Sequence, residues 1–106
     1  MIRAAFILPA LVALTACEDP KKAVLFDGQR YAGRTQVDSE DKRRFVATAG
    51  PVSQGLDGAR EAARYEGTTY CIRRYGRSDI AWTIDPDSET PQVVDDQLTV
   101  QGRCSE

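Results

Sequence analysis

Apolar and polar positions divide the chain into three regimes. Residues 4–14 form an unbroken apolar run, residues 18–22 are polar, and from residue 23 onward the two kinds interleave. In the interleaved part, residues 23–26 are a short apolar run stopped by Asp27-Gly28, a dipeptide suited to a tight hairpin turn. Residues 29–37 read as a strand with imperfect alternation, with Tyr31 and Val37 apolar and Arg30, Arg34 and Gln36 polar. A polar turn at residues 38–41 follows. Residues 44–49 then favour a strand through Phe45, Val46 and Thr48, and Gly50-Pro51 ends it. Together these stretches predict an N-terminal meander or hairpin.

The period then changes. Leu56, Ala59, Ala63 and Tyr70, with Ala62 beside them, recur at helical spacing and predict one helix over residues 55–75. Ser53 or Asp57 is suited to cap its start, Arg73 and Arg74 sit where the helix dipole favours cations, and Gly76 is a natural terminator. A competing pattern ends the helix at Gly67 and pairs residues 68–75 with residues 80–84 as a hairpin, because the first of these has high β propensity. Residues 79–84 alternate Ile80, Trp82 and Ile84 with Ala81 and Thr83, which predicts a strand and gives Trp82 the largest share of the core. Residues 85–96 read as an acidic loop containing Pro86 and Pro91. Residues 97–103 read as a last strand, with Leu98 and Val100 on one face, running into Cys104. The predicted fold class is α+β, a small antiparallel sheet of four to five strands with one helix packed on one face.

The first regime carries an address. A free amine and Arg3 precede the apolar run, and Thr15 and Ala16 supply small residues at its end, the layout of a secretory signal peptide. Eleven apolar residues rise about 16 Å as a helix, too short for a hydrocarbon core of ~30 Å, and Pro9 would kink them. Leu14-Thr15-Ala16-Cys17 resembles the lipobox of bacterial lipoproteins: an aliphatic residue, a small one, Ala or Gly, then Cys. The resemblance implies cleavage before Cys17, a diacylglyceryl thioether on its sulfur, and acylation of the new amino group. Two or three acyl chains anchor a protein stably, whereas one holds it marginally.

On that resemblance, residues 1–16 are a cleaved signal peptide, residues 17–22 a lipid-anchored tether, and residues 23–106 a small disulfide-bonded domain facing the periplasm. In enterobacteria an Asp after the lipidated Cys retains a lipoprotein at the inner membrane. Here Glu18 stands at that position with Asp19 next, so both the cell membrane and the outer membrane stay open. Residues 58–66 and 70–72, with Gly76 and residues 78–82, are in addition similar to small lipoproteins of alphaproteobacteria, a likeness that implies no activity.

Composition narrows the function. The 89 residues beyond Cys17 suffice for one small domain. Loss of the signal peptide removes one basic residue of 14, Arg3, and none of the 16 acidic ones, so the mature formal charge is −3. That balance argues against broad binding to nucleic acid. The chain has no histidine, so the commonest acid–base group and neutral metal ligand are missing. With Cys17 assigned to lipid, Cys71 and Cys104 remain as an even pair in an oxidising compartment, which predicts a structural disulfide. Their spacing is unlike the Cys-x-x-Cys of redox-active pairs.

Two clusters invite a site. Asp85, Asp87 and Glu89 lie two apart, with Asp96 twelfth from Asp85, as in a calcium loop. Thr90 stands where that loop needs Gly and Pro91 follows it, so a solvated acidic loop is expected and no metal site. Arg60 and Arg64 share a helix face and Arg73, Arg74 and Arg77 gather at its end, suited to a headgroup or cell-wall carboxylate. A solvated face paired with Glu61 and Glu66 is the simpler expectation. No Gly-x-Ser-x-Gly motif is present, and no catalytic residue or cofactor is predicted. The sequence thus points to a non-enzymatic, lipid-anchored envelope module with an envelope-protein or cell-wall partner. A periplasmic small-ligand-binding or sensing module is the alternative.

Overall fold

A computed structural model describes residues 24–106, so the signal peptide, Cys17 and the tether of the sequence reading lie outside the described residues. The elements in chain order are β1 (Ala32–Val37), β2 (Arg44–Gly50), a 3-10 turn at Val52–Gln54, α1 (Leu56–Tyr75), β3 (Ile80–Ile84), β4 (Gln92–Val94) and β5 (Gln97–Cys104). Every strand pair is antiparallel, in the order β1-β2-β5-β3, and β4 also pairs with β5. β3 lies against residues 101–104 of β5 and β4 against residues 97–99, so the two share one side of that strand. α1 packs across one face, against β1, β2 and β5. The fold is the predicted α+β arrangement, one helix on a five-stranded antiparallel sheet.

Period-two alternation builds the buried face. Phe45, Ala47 and Ala49 of β2 stand beside Gly102, Val100 and Leu98 of β5 in register, and all six are buried. The helix answers with Ala59, Ala62, Ala63, Gly67 and Cys71, a stripe of small residues that lets its backbone lie close to the sheet. Gly67 is one point of close approach. A Cβ built there would lie 2.6 Å from Phe45 Cε1 and 2.8 Å from Phe45 Cζ. The residue that the competing pattern reads as a helix end is instead the gap that receives the Phe45 ring.

The helix continues to Tyr75, and Gly76 closes it in the left-handed conformation (φ 76°), its N–H donating to the Ile72 carbonyl at 2.8 Å. Neither Ser53 nor Asp57 caps the start. Gly55 occupies the cap position without a side-chain bond, because the 3-10 turn carries Ser53 away and aims its hydroxyl at Asp96 Oδ2, 2.7 Å distant. Trp82 is only half-buried, and the largest fully buried side chain is Phe45, whose ring meets Trp82 edge to face at 5.7 Å between centroids. The predicted acidic loop of residues 85–96 contains β4. Its hairpin turn, Asp95-Asp96, has both residues at positive φ (53° and 63°).

Among the described residues the fully buried apolar set has ten members, five of them alanine, so the core holds few large side chains. Phe45, Leu98 and Val100 each contribute roughly 1.5–3 kcal/mol by burial. Cys71 and Cys104 are bonded to each other with Cα atoms 5.5 Å apart, pinning the late helix to the end of β5. Closing 33 residues of separation removes loop entropy worth about 3.7 kcal/mol, more than any one of those side chains.

Candidate functional site

The first strand and the helix define a groove between them. Among the described residues β1 pairs with β2 alone, which leaves its other side as an edge. The register decides which backbone groups face that edge. Asp38 N–H donates to the Arg44 carbonyl at 3.0 Å, which makes 38/44 a hydrogen-bonded pair. The alternation of an antiparallel ladder then makes Gln36/Val46, Arg34/Thr48 and Ala32/Gly50 hydrogen-bonded pairs as well. Gly33, Thr35 and Val37 therefore direct their N–H and C=O groups away from β2, toward the free edge. The Cys104 N–H to Arg43 C=O bond, 2.7 Å, gives β2 the matching phase on its other side.

Above that edge run Tyr65, Thr69 and Arg73, spaced four apart on α1, with Glu66, Tyr70 and Arg74 beside them. With Thr35 they line a groove of about 350 Å³. Its two ends differ in charge. At one end Glu66 lies against Gly33, and its Oε1 accepts from the Thr35 hydroxyl at 3.2 Å. At the other, Tyr70 packs on Phe45, the partner of Val37, and donates its hydroxyl to the Lys42 carbonyl at 2.5 Å. Burial raises the Tyr70 hydroxyl above the ordinary phenol range, with the Tyr75 hydroxyl adding to the shift and Arg74 opposing it, so Tyr70 stays a neutral donor. Arg73 and Arg74 occupy this end and make no ion pair with any carboxylate among the described residues. Tyr65, 42% exposed with its ring 5.4 Å from that of Phe26, supplies apolar surface.

The predicted arginine cluster is thus divided. Arg64 bridges Glu61 (3.0 Å) and Asp87 (2.6 Å), Arg60 donates to the Ser88 carbonyl, and Arg77 pairs with Asp79 at 3.0 Å. Glu66, expected to pair with an arginine, is held by Thr35 instead. The carboxylates of the candidate calcium loop are turned to separate tasks. Asp85 accepts from the Asp87 backbone N–H, Asp87 holds Arg64, and Asp96 takes both the N–H and the hydroxyl of Ser53. Ser39 and Lys42 have a Ser-x-x-Lys spacing, yet both are exposed in the turn between β1 and β2.

The opposite face of the sheet is polar. Arg44 and Arg103 stand directly across from each other, an unfavourable like-charge pair, and Asp41 is set beside both. Its Oδ2 accepts from Arg103 Nε at 2.8 Å and lies 3.9 Å from Arg44 Nε. The Arg103 hydrogen bond, reinforced by the Arg43 backbone N–H and by both guanidinium charges, holds the Asp41 carboxyl below its ordinary range. Cys17, the predicted lipid site, lies outside the described residues. No helix among the described residues is long and apolar enough to cross a membrane.

The groove was not legible in sequence, because residues 33–37 and 65–74 meet only through the β1-β2-α1 topology. No protein-family model, curated protein or solved structure matches this chain.

Proposed function

We propose that this chain is a lipid-anchored protein of the bacterial cell envelope, whose small domain faces the periplasm as a non-enzymatic interaction module. The observation that carries this reading is the fate of the cysteines. Cys71 and Cys104 are buried and bonded to each other, so Cys17 in the lipobox-like Leu14-Thr15-Ala16-Cys17 is the one cysteine of three left over. A buried structural disulfide suits an oxidising compartment. A leftover cysteine right after a signal-peptide pattern suits lipid attachment.

The geometry of the tether adds to this. Residues 18–22 span at most roughly 20 Å when extended, which keeps the domain near the bilayer surface. A groove open along a strand edge suits an extended partner better than an enclosed small molecule. Detergent phase partitioning tests the reading. The native chain is expected in the detergent phase, and Cys17→Ser, once freed of residues 1–16, in the aqueous phase. Cys17→Ser that partitions and fractionates with membranes like the native chain overturns the anchor.

A further inference from the structure

We propose that the β1 edge and the α1 groove bind an extended polypeptide segment by strand addition, with an acidic residue of that segment seated at Arg73 and Arg74. The inference deepens the interaction-module reading and rests on it, but not on the lipid anchor.

Backbone chemistry selects the class of partner. Gly33, Thr35 and Val37 present three N–H donors and three C=O acceptors in a row, the pattern that an extended peptide completes. The opposite side of the sheet offers no equally continuous edge. There β3 and β4 are separate short strands, β3 carries a register shift between Trp82 and Ile84, and the connection between them holds Pro86 and Pro91. β1 has no bulge and no proline, and its one charged residue, Arg34, pairs with Thr48 on the face away from the helix.

Dimensions agree. From Gly33 to Val37 a strand advances about 13 Å, and from Glu66 to Arg74 a helix rises about 12 Å, so groove and edge run side by side for four or five peptide residues. Alternate side chains of an added strand would meet Tyr65 and Thr69, and the exposed face of Tyr65 suits an aliphatic one. Charge then orients the peptide. The Glu66 carboxylate disfavours an acid near Gly33, while Arg73 and Arg74, without carboxylate partners among the described residues, favour one toward the C-terminal end of α1.

The test uses the full chain in detergent micelles and fluorescence anisotropy of a labelled eight-residue peptide of alternating valine and threonine. The peptide carries two aspartates at its C-terminal end, and a second version carries them at its N-terminal end. Both are compared with the same sequence carrying asparagines. At least one acidic peptide is expected to bind about tenfold more tightly than its asparagine counterpart, and Arg73→Glu with Arg74→Glu should abolish that preference.

Thr35→Pro is the discriminating variant. It removes an N–H that faces the free edge and leaves the β1-β2 ladder intact, and Thr35→Val controls for loss of the hydroxyl bonded to Glu66, so binding should fall about tenfold or more relative to Thr35→Val while the unfolding midpoints of the two variants agree. Gln36→Pro removes a ladder bond and should lower the midpoint instead. Equal binding by Thr35→Pro of unchanged fold, equal binding of acidic and asparagine peptides, or binding to anionic phospholipid vesicles without binding to any peptide would each overturn the proposal. Because none of these readings depends on acylation, they stand apart from the partitioning test of Cys17.

Discussion

Gly67→Ala adds one methyl group where α1 crosses Phe45 and Trp82, and two effects of opposite sign compete there. Helix propensity alone favours the change by about 0.8–1 kcal/mol, since Gly is the costlier residue in a helix interior. Packing opposes it. The new Cβ would lie 2.6 and 2.8 Å from two Phe45 ring atoms and 3.2 Å from Trp82 Cη2. The Phe45 ring is 1% exposed and is flanked by Tyr70 at 6.0 Å and Trp82 at 5.7 Å between centroids, so it has nowhere to retreat. Overpacking of this kind costs about 1–3 kcal/mol, and a rigid, flanked ring belongs in the upper part of that range. Packing wins, and a net loss of about 1–2 kcal/mol is expected.

Urea unfolding followed by Trp82 fluorescence reads this directly. Phe45→Leu supplies the control, because it removes the two ring atoms in question. In that background Gly67→Ala should become neutral or stabilising by about 0.5–1 kcal/mol. A Gly67→Ala variant that stabilises the chain with Phe45 in place would refute the packing argument.

The other predictions concern the bridge, one ion pair and one hydrogen bond. Reduction of Cys71–Cys104 should cost about 3–4 kcal/mol, a large part of the ~5 kcal/mol at the low end for small domains, and near-UV circular dichroism should collapse. A stability change below about 1 kcal/mol on reduction would contradict the loop-entropy argument. Asp41 has a folded pKa below its unfolded value of about 3.9, so its contribution is present above that pH and lost as pH falls through the folded pKa. Asp41→Asn should accordingly flatten the fall in stability at acid pH, and unchanged acid titration curves would count against the Arg103 pairing. Tyr31→Phe removes the hydroxyl that donates to the Gly55 carbonyl at 3.0 Å, and about 0.5–1.5 kcal/mol should go with it. Hydrogen exchange in the first turn of α1 should quicken, and identical exchange would show that Tyr31 does not hold the helix start.

What the sequence made legible follows from which residues face the core. The helix was foreseen over residues 55–75 and found at Leu56–Tyr75, because its alanine stripe and Gly76 are local signals. The β propensity of residues 68–75 lost to tertiary packing, which needs Cys71 turned inward beside Gly67. β4 was invisible for the converse reason. Gln92, Val93 and Val94 are all exposed, so no buried face imprints alternation on them, and Asp95-Asp96 takes the turn conformation more often signalled by Asn-Gly. Trp82, which its size marks as the main core residue, is only partly buried, because side-chain size is visible in sequence while depth is not. The fates of Arg64 and Arg73 depend on Asp87 and the groove, which only the assembled fold brings to them, whereas Arg77 pairs locally with Asp79, two residues on.

The proposed anchor requires that Cys17 carry the lipid that fixes this domain to a membrane, with Cys71 and Cys104 paired in the oxidising space beyond it. The intact mass of the chain extracted from membranes, measured with and without prior alkylation of free thiols, tests both parts at once. The chain is expected to begin at Cys17, to be heavier by a diacylglyceryl group and an amide-linked acyl chain, and to take up no alkylating reagent until it is reduced. A chain still beginning at Met1, or one whose Cys17 is alkylated without reduction, would contradict it.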